Sequence, residues 1–229
     1  MFKPFARCLL PVLALSVLSM PASGLDMGDL MVRGRLINIE PDSSSSNVNA
    51  DGNSVPGTNV TVDSAMTLDI DFVYMLTPVI GVELLLDLSS QHSISSEGNT
   101  LFSLAPGTIM KTRVLPPALI LQYHLAPYAI LSPYVGAGLN YTYFFDTKAT
   151  DSLESGLKGV SDIDLDPSFG WVVQVGADYD LGNEWYLNAD LKYMQIDTKA
   201  SFYSGLLGNV DLSVDINPWV MGIGVGKRF

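Results

Sequence analysis

One cysteine occurs among 229 residues, and it is Cys8, inside the apolar N-terminal stretch. The chain beyond it has no disulfide, thiol nucleophile or Cys-ligated metal. Histidine is nearly as scarce. His92 and His124 lie far apart, and no Ser-His-acid signature accompanies either. Little is left to support catalysis, so neither an enzyme nor a cofactor or metal site is expected. Positive charge is also short, with 12 Lys and Arg against 24 Asp and Glu and a net charge of −12. Nucleic acid, which needs basic patches, is not an expected partner. Charged residues reach 16% and apolar ones 48%, yet past the N-terminus no apolar run approaches the ~18 residues of a membrane-spanning helix. A greasy chain without such a run either buries a large core or turns every second residue to lipid.

The N-terminus has the layout of a secretory signal. Lys3 and Arg7 precede an almost wholly apolar run from Cys8 to Met20, and Pro21-Ala22-Ser23-Gly24 offers small residues for cleavage after Ala22 or Gly24. The apolar core is short for an anchor helix, and no small-residue lipobox precedes Cys8. Residues 1–24 are therefore expected to be a signal peptide, and 25–229 a single mature domain.

Period-2 alternation runs through that domain. Leu30, Val32 and Leu36 oppose Arg33 and Arg35. Leu68, Ile70, Phe72, Tyr74 and Leu76 oppose Asp69 and Asp71. Ile80, Val82, Leu84, Leu86 and Leu88 oppose Gly81, Glu83, Leu85 and Asp87. Leu119, Leu121, Tyr123 and Leu125 oppose Gln122 and His124. Val135 to Phe145 sets aromatic and aliphatic residues against Gly136, Gly138, Asn140 and Thr142. Trp171 to Tyr179 opposes Gln174 and Asp178, and Leu187 to Tyr193 opposes Asn188, Asp190 and Lys192. The last strand places Trp219, Met221, Ile223, Val225, Lys227 and Phe229 on one face, and Val220, three glycines and Arg228 on the other. That makes eight strands. Short connections (near Thr77, over 126–132 and at Gly182-Asn183) alternate with long ones (41–59, 89–112, 146–167 and 198–211), the pattern of periplasmic turns and external loops.

Lipid offers the backbone no hydrogen bonds, so a spanning sheet must close. The expected fold is an all-β, eight-stranded antiparallel transmembrane β-barrel of the bacterial outer membrane, with both ends of the mature chain in the periplasm. Aromatics fall where interfacial girdles belong: Tyr74, Tyr123, Tyr179, Trp185 and Phe229 near the short turns, Tyr143, Phe144 and Phe145 near a long one. A soluble eight-stranded barrel of lipocalin type would reverse the faces, leaving Asp, Glu, Arg and Lys as its core. Terminal strands ending in an outward aromatic are typical of outer-membrane barrels, so Phe229 reads as the signal to the barrel assembly machinery. The lumenal charges Arg33, Arg35, Asp69, Asp71, Glu83, Asp87, Asp178, Asp190 and Lys192 must pair if buried. Such a network would plug the axial route.

Several segments resemble the outer-membrane protein W (OmpW) family. They are Val32-Arg33-Gly34 with Asn38-Ile39-Glu40-Pro41-Asp42, then Ile80-Gly81-Val82-Glu83-Leu84-Leu85, Leu115-Pro116-Pro117, and Pro133-Tyr134-Val135-Gly136-Ala137-Gly138-Leu139-Asn140-Tyr141-Thr142. Gln174 to Tyr179, Tyr193 to Thr198 and Pro218-Trp219-Val220 follow in order. The resemblance implies an eight-stranded barrel in a Gram-negative outer membrane. It also implies passive uptake of small hydrophobic compounds, with an AlkL-like branch serving alkane-degrading hosts. Lys227 departs from the family, which often has an aromatic third from the end; a lysine there can snorkel to the headgroups.

Four residues mark an expected ligand path. Pro116 and Pro117 lack N–H groups where a long loop enters the fourth strand. They either open a lateral gap in the wall or merely end pairing at the rim, and the resemblance favours the gap. Leu85 is apolar on a polar face; it is either packing filler or, as the resemblance implies, part of a lumenal constriction. The resemblance adds Phe169 to that constriction, whereas its parity with Trp171 turns it to lipid. Other readings are a surface structural or interaction barrel that contacts cations, lipopolysaccharide, host or phage, and a narrow ion pore. Asp162-Ile163-Asp164-Leu165-Asp166 resembles the start of an EF-hand loop, but Pro167 replaces the required Gly and Val173 stands where Glu belongs.

Overall fold

The computed structural model describes residues 24–229, so the expected signal peptide, Gly24 apart, lies outside the described residues. Eight strands form the wall: β1 (Leu30–Glu40), β2 (Ala65–Met75), β3 (Ile80–Asp87), β4 (Ala118–His124), β5 (Leu131–Ala149), β6 (Ser168–Gly182), β7 (Trp185–Met194) and β8 (Trp219–Arg228). Consecutive strands pair antiparallel. β8 returns to β1 in a register running from Met31↔Arg228 to Glu40↔Trp219, which closes the sheet. Alternation sets the faces. Leu36, Leu68, Leu119, Leu121, Val175 and Ile223 are exposed on the outside, while Arg33, Asp71, Glu83, Gln122 and Lys192 are buried within. In water this would be inside-out; in lipid it is the stable arrangement.

The periplasmic end is held by tight turns. Thr77 Oγ accepts from the N–H groups of Val79 and Ile80 at 3.3 and 3.0 Å. Between β6 and β7, Gly182, Asn183 and Glu184 all have positive φ. Leu25 tucks under the floor, its N–H donating to the Pro127 carbonyl at 2.9 Å, and joins Met31, Val73, Met75 and Tyr186 in a small apolar layer.

The external connections depart from the expectation of loops. β5 has 19 residues, about 65 Å at ~3.4 Å per residue, against the 9–11 that cross a bilayer. Its upper part pairs with a hairpin of strands Ser90–Ser96 and Thr108–Leu115, through Tyr143↔Leu115 and Phe145↔Arg113. A second sheet joins Val160–Leu165, Asp197–Ser204, Gly208–Asp215, Val48–Ala50 and Asn53–Val55. With helices α1 (Asn99–Leu104) and α2 (Asp151–Gly156), these segments enclose a second apolar core that includes Val60, Leu101, Ile109, Leu153, Phe202 and Leu212. Bulges hid this storey from the sequence. Asp146 has φ 51° and the register slips between Phe145 and Lys148; Asp162 has φ 53° and the register slips between Ser161 and Asp164. Each slip breaks the period-2 pattern that alternation detects. The EF-hand-like run is therefore part of a strand, with Ile163 and Leu165 turned toward the apolar core and Asp162 and Asp164 exposed.

Candidate transport path

From the periplasm outward, the lumen is layered. Above the apolar floor lies a charged layer built on inward positions of β1, β2, β3, β6 and β7. Arg35 forks onto Asp69 (Nε–Oδ1 2.9 Å, Nη2–Oδ2 2.6 Å) and also reaches Asp190 at 2.5 Å and Asp71 at 3.0 Å. Arg33 meets Asp178 at 2.8 Å and Asp71 at 3.5 Å. Its guanidinium lies 5.1 Å from the centre of the Tyr134 ring and 5.7 Å from that of Tyr186. Lys192 bonds Asp190 and stands 3.7 Å from Glu83, which also accepts from Gln122 and, at 2.6 Å, from Gln174. Asn188 donates to Asp178 and to the Tyr134 hydroxyl. The expected pairing of lumenal charges is thus present for all of them but Asp87, which has no partner among the described residues, and buried side chains fill this cross-section.

Tyr134 and Tyr186 are also lumenal; alternation alone does not single them out, although their parity with Gly136 and Asn188 turns them inward. A second signal lies across the ladder. Gly176 faces Tyr134 and Gly226 faces Tyr186 in register, and a Cβ on Gly176 would come within 2.5 Å of the Tyr134 ring. The glycines leave room for the two rings that contact the Arg33 guanidinium.

Leu85 separates two acids of β3. It is 2% exposed and packs in an apolar layer with Ile37, Ala118, Ile120, Phe144, Val172 and Met194, between Glu83 below and Asp87 above. Over this layer opens a cavity of about 60 Å³ walled mostly by apolar side chains, among them Ile39, Met110, Phe144, Met194, Ile196 and Pro116. His92 is on its wall, with Nδ1–H donating to the Asp63 carbonyl and Nε2 accepting from Ser90 Oγ. Burial pushes its imidazole below the ordinary value.

The wall beside the cavity is interrupted on one side. The β3–β4 ladder ends at Leu85↔Ala118, and the same two stretches of chain next pair at Ser90↔Val114. Between these points 86–89 and 115–117 share no backbone hydrogen bond among the described residues. Pro116, whose backbone faces β3, has no N–H to give, Pro117 turns its backbone to the opposite side, and Ser89, at φ 37°, turns the chain away. The other side is intact, with Tyr141 N–H donating to the Pro117 carbonyl at 3.0 Å.

Phe169 stands outside the chamber. The β5–β6 register runs unbroken through Thr142↔Ser168, Tyr141↔Phe169 and Asn140↔Gly170. No bulge therefore turns the ring inward, and it is 70% exposed on the outer face, away from Leu85 and the cavity. Phe229 is also outward, and its backbone closes onto Leu30. Lys227 Nζ sits 5.1 Å from the centre of the Phe229 ring and 5.7 Å from that of Trp185, so it joins the aromatic girdle rather than interrupting it.

A closed sheet with an apolar outer face, girdled by aromatics and filled by a charged lumen, defines a small transmembrane β-barrel of the Gram-negative outer membrane. The OmpW family model matches residues 26–229, and the chain belongs to that family. It is 37% identical to outer membrane protein W of Vibrio cholerae over 223 residues, 97% of this chain and 98% of the relative. The crystal structure of OprG from Pseudomonas aeruginosa is similar with a TM-score of 0.84 and 35% identity, covering 90% of this chain and 98% of that one. The outer membrane protein AlkL, solved by solid-state NMR in DMPC bilayers, gives a TM-score of 0.69 and 26% identity over 94% of this chain and 96% of that one.

Proposed function

We propose that the barrel takes up small hydrophobic molecules from outside, holds them in the apolar chamber and releases them sideways into the bilayer. One observation carries this reading: an apolar cavity lies above a charged, filled layer and beside the wall interruption at Pro116 and Pro117. Downward passage would drag an apolar solute through buried ion pairs, whereas the seam leads to lipid. Leu85 then belongs to the chamber's floor, and the outer-membrane lipids and lipopolysaccharide are the surroundings into which cargo leaves. The same filled layer argues against a continuous ion pore. The test is to replace both prolines by residues able to complete the ladder, Pro116→Thr with Pro117→Val, and follow a hydrophobic fluorescent tracer into proteoliposomes. Uptake slows several-fold while the barrel stays folded. Unchanged uptake rejects the lateral exit.

The ordered external storey supports a second reading, an interaction barrel whose exposed acids, Asp162 and Asp164 among them, meet a partner at the cell surface. Under that reading, deleting the protein leaves hydrophobic uptake intact.

A further inference from the structure

Asp87 stands where the charged layer meets the apolar chamber. It is the last residue of β3, buried at 6% exposure, and it lines the cavity. The other five lumenal carboxylates all have partners: Asp69, Asp71 and Asp190 on Arg35, Asp178 on Arg33, and Glu83 on Gln122, Gln174 and Lys192. Asp87 makes no hydrogen bond or ion pair among the described residues, and its Oδ1 is sealed from solvent without a donor. Among the described residues no neighbouring cation is free for it. Asp69, directly across the ladder, holds Arg35, and Lys192 is held between Asp190 and Glu83.

The chamber's other polar side chains are occupied. Ser90 and His92 bond each other, Thr112 bonds Thr147, and Thr198 donates to the Asp166 carbonyl. One acid remains unanswered on a wall that is otherwise apolar or already paired. Burying an isolated carboxylate is costly unless it takes up a proton or a cationic donor reaches it. A bound molecule can supply that donor, and the surrounding wall asks that the rest of it be hydrocarbon.

We propose that the chamber is a binding site for short alkylammonium ions, with the hydrocarbon chain among Ile39, Met110, Met194 and Ile196 and the N–H groups of the ammonium head donating to Asp87. This rests on the uptake reading only in requiring that the chamber admit apolar solutes; the choice of head group is separate. A neutral alcohol fills the same space with a weaker bond, and a carboxylate is repelled by Asp87 and Asp69.

The experiment uses the protein in lipid nanodiscs with labelled Met and Ile methyl groups, titrated separately with hexylammonium, 1-hexanol and hexanoate. Met110, Met194, Ile39 and Ile196 report the chamber, and Met221, on the lipid face, reports partitioning into the bilayer. A hydrogen bond to a charged group is worth ~1.5–3 kcal/mol, so hexylammonium half-saturates the chamber signals at roughly tenfold lower free concentration than hexanol. Hexanoate leaves them unmoved. In Asp87→Asn the amine and the alcohol become equal, and because the substitution removes an unpaired charge the barrel keeps its folded mobility in SDS gels. Equal half-saturation in the wild type, which needs no variant, overturns the proposal while leaving uptake standing. A preference that survives Asp87→Asn also overturns it. If none of the three probes moves the chamber methyls, both this proposal and the uptake reading fall.

Discussion

Replacing Arg35 by methionine tests the physics of the lumen most directly. The side chain is buried and serves Asp69, Asp71 and Asp190 at distances of 2.5–3.0 Å. Methionine keeps much of the volume and removes the charge, leaving three carboxylates in a layer with two remaining cations, Arg33 and Lys192. Removing one partner of a buried pair costs ~3–5 kcal/mol. The contributions of the three acids will not add, because they share neighbours, so Arg35→Met is expected to lose about 3–5 kcal/mol, a large part of the ~5–15 kcal/mol a folded protein has. Urea titration in lipid vesicles, scored by the heat-modifiable band in SDS gels, reads this as a lower midpoint with unchanged slope. The companion variant adds Asp69→Asn and Asp190→Asn to Arg35→Met. It neutralises two stranded acids while keeping their shapes, and it recovers more than half of the loss. A loss below about 1 kcal/mol, the scale of a surface pair, would refute the claim that this layer is buried and interlocked. So would failure of the companion variant to recover.

Further outcomes follow from the same geometry. Gly176→Ala forces a methyl group against the Tyr134 ring and Asp190 Cβ and should cost ~1–3 kcal/mol as overpacking, and Tyr134→Leu in the same chain should cost less than the sum of the two single changes when read as urea midpoints. Phe169→Ala removes a ring that is 70% exposed outside, so tracer uptake should be unchanged, whereas a loss would return Phe169 to the path. The external storey should weaken in acid through His92. Its folded pKa lies below the ordinary 6.5 because of burial, so the unfolded segment takes up a proton first, and stability falls as pH drops below about 6.5 and is level above it. Amide exchange over Ser90–Ser96 from pH 7.5 to 5 measures this slope, and His92→Gln should remove it.

Much of the wall was legible because a strand in lipid obeys one rule. Every second side chain must be apolar, so Leu119, Leu121 and Tyr123 announced the outside, and Gln122 and His124 the inside, without any knowledge of their neighbours. The same parity set Phe169 outward against the family resemblance, and the unbroken register upheld it. The external storey escaped because its strands are short and bulged. A register slip at Asp146 or Asp162 reverses which positions face the core, and the resulting pattern looks like a loop. The tyrosines over Arg33 escaped for a different reason. An aromatic on a polar face carries no message until the glycine opposite it, 42 residues on from Tyr134 in the case of Gly176, is known to be its neighbour.

The chain by itself determined the solvent, the number of wall strands and the direction of each wall side chain, because these follow from local alternation. It also listed the charges that had to meet. Only the tertiary structure decided which of them did: Arg35 takes three acids, Lys192 joins two, and Asp87 has no partner among the described residues at the edge of an apolar chamber. Stagger between strands decides such pairings, since it sets the height at which each inward residue enters the lumen. No single strand contains that height.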